Sequence, residues 1–85
     1  MRSGFVVLKP GQDVGAHSTG SHEELIIILG GRGAVEAEGL GRVDVGGSRV
    51  IYIPPDTMHN VFNTGDEPLR YIYVVAPVTA GASGQ

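Results

Sequence analysis

Fourteen glycines and five prolines punctuate this 85-residue chain so closely that no uninterrupted stretch is left for a long helix. Both residues penalise a helix interior, and no window between them carries helical periodicity. What stands between the breakers are short segments rich in Val, Ile and Tyr, the composition of strands. They are FVVL (5–8), a short stretch ending at His17, ELIIIL (24–29), GAVEAEG (33–39), GRVDV (41–45), RVIYI (49–53), MHNVFN (58–63) and RYIYVV (70–75). GGRG (30–33), GLG (39–41) and NTGDEP (63–68) supply the turns between them. Eight short strands separated by turn signals predict an all-β, single-domain antiparallel sandwich or barrel, with helix limited to a turn or two. The domain is expected to occupy residues 1–78, with residues 79–85, the end of VTAGASGQ, as a frayed tail.

Alternation assigns faces. AVEAE and RVDV place charged residues on one side and small or apolar ones on the other, so that hairpin is expected to have one face in water. LIIIL does not alternate, which implies that both of its faces are covered. One can be the barrel interior. The other, with Ile27 and Leu29, needs a second surface, and a homodimer is the economical source of one. A chain this short buries only about 60% of the surface its unfolded form exposes, which adds to the value of a partner subunit.

Charge and composition narrow the function. Six Lys and Arg against nine Asp and Glu are scattered along the chain, and no basic run could neutralise a row of phosphates, so nucleic acid is not the expected partner. The longest apolar run, Leu25 to Leu29, is far short of the roughly 20 residues that span a bilayer, and MRSGFVVLKPG lacks a signal-peptide core. The expectation is a soluble, cytoplasmic protein without membrane contact. With no cysteine, any metal must be held by nitrogen and oxygen ligands.

The chemistry-bearing residues cluster in HSTGSHEELIIILGG (17–31) and IPPDTMHNVFN (53–63). In the first, Gly11 is followed after five residues by His17, then by Thr19, by Glu24, and after six more by Gly31. In the second, Pro54, Asp56, His59 and Asn63 keep a Pro-x-x-x-x-His-x-x-x-Asn spacing. These two series resemble the paired motifs of the cupin superfamily, small β-barrels of jelly-roll (double-stranded β-helix) form. Three departures stand out. Thr19 occupies the place of the family's second histidine, Asp56 stands where its second motif has glycine, and Ser48 stands where a glycine precedes the proline. The resemblance spans residues 11–63 and is more specific for fold than for activity.

What the resemblance implies is a metal in the barrel mouth, held here by His17, Glu24 and His59. Two imidazoles and a carboxylate suit a divalent transition metal such as Zn, Fe, Mn or Ni, with open positions for water or a small-molecule ligand. For each histidine the bland reading is a core imidazole bonded to backbone, and for Glu24 an edge charge, with Glu23 competing for its role. Thr19 is expected to line the pocket on the face of His17, its hydroxyl free for a bound water or ligand, and Thr19→His is expected to tighten metal binding. His22 is a candidate extra ligand if its loop folds inward, although its turn favours exposure. Tyr52 offers a phenol as a polar handle, whereas Phe62, Tyr71 and Tyr73 read as packing residues. No general acid/base pair stands out, so the sequence does not select a reaction or decide whether the chain is an enzyme. The alternative is a metal-free binding module for a sugar or an organic acid.

Overall fold

The computed structural model describes residues 1–78, and the expected tail at 79–85 lies outside them. Eight strands follow one another: β1 (Arg2–Leu8), β2 (His17–Ser18), β3 (His22–Gly30), β4 (Gly33–Ala37), β5 (Gly41–Val45), β6 (Val50–Ile53), β7 (Met58–Asn63) and β8 (Leu69–Pro77). No helix occurs among the described residues. The strands form two four-stranded sheets, ordered β1-β8-β3-β6 and β2-β7-β4-β5, with every pairing antiparallel. This is a jelly roll of two facing sheets. They remain separate ladders among the described residues, and side chains rather than a continuous ring of hydrogen bonds join them.

Alternation decides what each sheet buries. Glu24, Ile26 and Ile28 of β3 point inward, as do Tyr71 and Val75 of β8, Leu8 of β1 and Ile53 of β6. They meet Val35, Ala37, Val45 and Val61 of the opposite sheet in one apolar core. Ile26 and Ile53 are fully excluded from solvent.

β1 begins earlier than its Val-rich segment suggests. Arg2, Ser3 and Gly4 pair with Val75, Val74 and Tyr73, and the backbone of Gly4 lies under the Tyr73 ring, where a Cβ would approach the phenol oxygen to 2.5 Å. β2 is short because the chain before it is irregular, yet residues 11–16 continue the same edge. Gly11 N and Val14 N donate to Asn63 O and Val61 O, and Asp13 bridges to Phe62.

Candidate metal centre

Three elements bring the donors to one end of the roll. His17 on β2 lies directly opposite His59 on β7, and Glu24 reaches across from β3 in the other sheet. The ligand atoms of His17, Glu24 and His59 fall within 4.8 Å of one another. The imidazole rings of His17 and His59 lie 4.2 Å apart between centroids, tilted by 58°. His59 and Glu24 are buried and His17 is exposed, so the group has a closed floor and an open side.

Each ring is oriented by backbone. His17 Nδ1 is 2.8 Å from Gly15 O and His59 Nδ1 is 3.0 Å from Thr57 O. A carbonyl only accepts, so each Nδ1 carries the proton and each neutral ring offers its Nε2 lone pair. For His59 that lone pair faces an acceptor. Nε2 lies 3.2 Å from Glu24 Oε1, in a direction that makes no aligned hydrogen bond, and it is the one buried side-chain nitrogen or oxygen among the described residues without a partner. The contact with Glu24 raises the His59 pKa above the ordinary imidazole value; burial opposes this, and the bond to Thr57 adds to it. Two lone pairs and a carboxylate converging without a donor call for a cation between them, either a proton or a metal ion.

The local fold behind the site depends on Thr19. Its hydroxyl donates to Pro54 O at 2.7 Å and accepts from Thr57 N at 3.0 Å, clamping the β2–β3 turn to the β6–β7 corner that carries His59. Thr19 borders the mouth, but its hydroxyl is committed. The expectation of a hydroxyl free for water or ligand is corrected, because residue 19 lies past the end of β2 rather than inside a strand. Thr19→His would break both bonds, which also removes the basis for expecting that replacement to tighten a metal site. Asp56, at the motif's glycine position, adopts φ 54°, and Ser48 adopts φ 67°, so both non-glycine residues take the left-handed conformation that glycine adopts freely.

The remaining candidates separate by face. His22 lies on the inward side of β3 with Glu24; it is half-buried and borders the mouth without joining the three-donor group. Glu23 and Tyr52 lie on the outer side. The Tyr52 hydroxyl donates to Glu23 Oε1 at 2.9 Å at the surface, a contact that raises the tyrosine pKa. That pair stands apart from the mouth: Glu23 does not join the group of His17, Glu24 and His59, and Tyr52 does not line the cavity.

The mouth is a cleft of about 310 Å³ lined by Arg2, Val6, Val14, Tyr71, Tyr73 and Val75 in addition to His17, Thr19, His22 and Glu24; His59 lies behind it and borders a separate cleft with Glu36, Met58 and Asn60. Arg2 and Val14 carry no motif, and the sequence reading missed them. The signal for Arg2 lay in the parity of β1: Arg2, Gly4, Val6 and Leu8 share a face, and Leu8 is core. Tyr71, a packing residue by its place in the sequence, is 2% exposed and also walls the pocket. Burial, followed by the charge of Glu24 and the neighbouring Tyr73, pushes its pKa up to about 12, so it remains a neutral phenol.

Comparison with known proteins agrees with this architecture. Residues 4–75 match the family model for the cupin domain. The chain is 30% identical over 78 residues to a polyketide synthase CurC of Streptomyces cyaneus, an alignment covering 88% of this chain and 48% of that protein. Among solved structures, a predicted oxalate decarboxylase of Thermotoga maritima superposes with a TM-score of 0.85 at 26% identity, over 89% of this chain and 65% of that one. The cupin domain of Schizosaccharomyces pombe Cnp3 superposes with a TM-score of 0.86 at 20% identity, over 96% of this chain and 59% of that one, a likeness of fold. The chain thus spans about half the length of its curated relative and less than two thirds of these structures. With two facing antiparallel sheets, both motifs in place and a family match over nearly the whole described length, the chain belongs to the cupin family.

Proposed function

We propose that this cupin binds one divalent transition metal through His17, Glu24 and His59 and presents it to a small molecule in the mouth. The observation that carries the reading is the buried, unpartnered Nε2 of His59 facing the Glu24 carboxylate, with a second imidazole beside it. The donor set fits Zn, Fe, Mn or Ni, each of which accepts mixed imidazole and carboxylate ligation. When bound, such an ion supplies Lewis acidity toward an oxygen-bearing ligand. The protein's own part is to fix the rings through Gly15 O and Thr57 O, to hold the carboxylate between them and to wall the site with Val6, Val14, Tyr71 and Val75. The test is elemental analysis of protein purified without chelator. One equivalent of a transition metal, lost in Glu24→Gln, is the expected result; a metal-free protein that gains no thermal stability from added Zn, Mn, Fe, Ni or Co makes the pocket a metal-free binding module.

We also infer that two copies pair through the outer face of the β1-β8-β3-β6 sheet. Phe5, Val7, Leu25, Leu29, Val50 and Tyr52 are all exposed there, and Ile27, Ile72 and Val74 lie among them in register. Strand and residue spacings make this apolar face about 20 Å on a side, a size at which exposed patches commonly mark interfaces. Its two ends carry opposite charge, with Glu23 at one and Arg70 at the other. A two-fold axis lying in the interface and running across the strands sets each charge of one copy against its opposite on the other, which favours a second copy as the occupant.

A further inference from the structure

We propose that the ligand of the mouth is a small carboxylic acid, and that Arg2 is the residue that selects it. The proposal rests on the metal reading above and adds the second anchor of the site. Arg2 pairs with Val75 on β8, and Val75 pairs with Glu24 on β3, so the three residues form one row across the inner face of the sheet. Two strand spacings separate Arg2 from Glu24, about 10 Å between their backbones. Arg2, an exposed residue, borders the same cavity as His17, His22 and Glu24. The two ion pairs among the described residues, Arg42 with Glu36 and His59 with Glu24, leave Arg2 without an acidic partner.

The chemistry follows from this charge arrangement. Glu24 is the one acidic side chain bordering the cavity, and it is turned toward the imidazoles. A divalent ion at the donors, together with Arg2 across the mouth, leaves an excess of positive charge facing the ligand space. A guanidinium presents a planar fork of N–H donors matched to a carboxylate, and it does so best where apolar walls exclude water. Val6, Val75 and Tyr71 give the cavity apolar walls beside Arg2. The volume of about 310 Å³ lies at the lower end of small-molecule pockets, which suits an aryl or short branched acid. In this arrangement the carboxylate sits on Arg2, the apolar body lies against Tyr71 and the valines, and an oxygen at the far end faces the metal donors.

The experiment is calorimetric titration of acetate, benzoate and phenylacetate, with benzamide as the uncharged counterpart, into Zn-loaded wild-type protein and into Arg2→Gln and Arg2→Lys variants. The expected result is that at least one of the acids binds, that benzamide binds at least tenfold more weakly than benzoate, and that Arg2→Gln weakens acid binding at least tenfold while Arg2→Lys restores part of it. The proposal is overturned if none of the three acids binds at tens of millimolar, if benzamide matches benzoate, or if Arg2→Gln leaves acid affinity unchanged. Zn uptake, measured separately, keeps the two readings apart. Acid binding with the same Arg2 dependence in a protein that takes up no Zn sinks the metal reading alone, and stoichiometric Zn without acid binding sinks this one alone.

Discussion

His59 shows how one buried atom sets the chemistry of a site. In the metal-free protein its pKa is raised by Glu24, so the charged ring is favoured in the fold relative to the unfolded chain, where histidine titrates near 6.5. That contribution is fully present below the unfolded value and disappears as pH rises through the folded one. A metal ion needs the unprotonated ring and follows the opposite course. The difference in Tm between metal-loaded and chelator-stripped protein should therefore widen from pH 5.5 to pH 8 in differential scanning fluorimetry; a constant difference would contradict ligation by His59. Thr19 acts at the same scale through structure. Thr19→Val keeps the shape but leaves Pro54 O and the Thr57 N–H without this partner, at an expected cost of about 1–3 kcal/mol in urea denaturation. A cost near zero would show that the clamp is ornamental.

At the scale of elements, the strands were legible because Gly and Pro mark their ends and Val, Ile and Tyr fill them; seven of the eight keep their expected cores, while β2 begins at His17, where the expected stretch ends. The positions of His17, Glu24 and His59 were legible through motif spacing. The committed hydroxyl of Thr19 was not, because its partners Pro54 and Thr57 lie 35 and 38 residues away and hydrogen bonds to backbone leave no pattern in composition. The sidedness of Glu23 and Tyr52 turned on the strand register, since a shift of one residue moves a side chain to the other face. The turns carry their own prediction. Ser48 holds φ 67°, a conformation that costs a residue with a Cβ about 1–2 kcal/mol. Ser48→Gly should be stabilising by about 0.5–1 kcal/mol after the added freedom of the unfolded chain is subtracted. Gly31→Ala should do the reverse and cost at least 2 kcal/mol, roughly, by analogy with other strained sites, because Gly31 has φ +90° and a Cβ there would run into the carbonyl oxygen of Pro68. Equal Tm values for wild type and both variants would refute this account of the turns.

For the whole molecule, the two faces of one sheet divide the work. The inner face of β1-β8-β3-β6 builds the core and one side of the mouth, while its outer face presents the apolar surface that the unbroken LIIIL segment first indicated. Sedimentation equilibrium at micromolar concentration should return twice the mass of one chain, and Ile27→Asp, at the centre of that face, should return a monomer. A wild-type monomer throughout the dilution series would remove the pairing. The metal reading is tested most directly by titrating Co(II) into chelator-stripped protein and following its visible ligand-field absorption. Saturation at one equivalent for wild type, abolished in a folded His59→Ala variant, is the expected result; absorption that rises without a break, or that is the same in both proteins, would mean that His17, Glu24 and His59 do not form a metal centre.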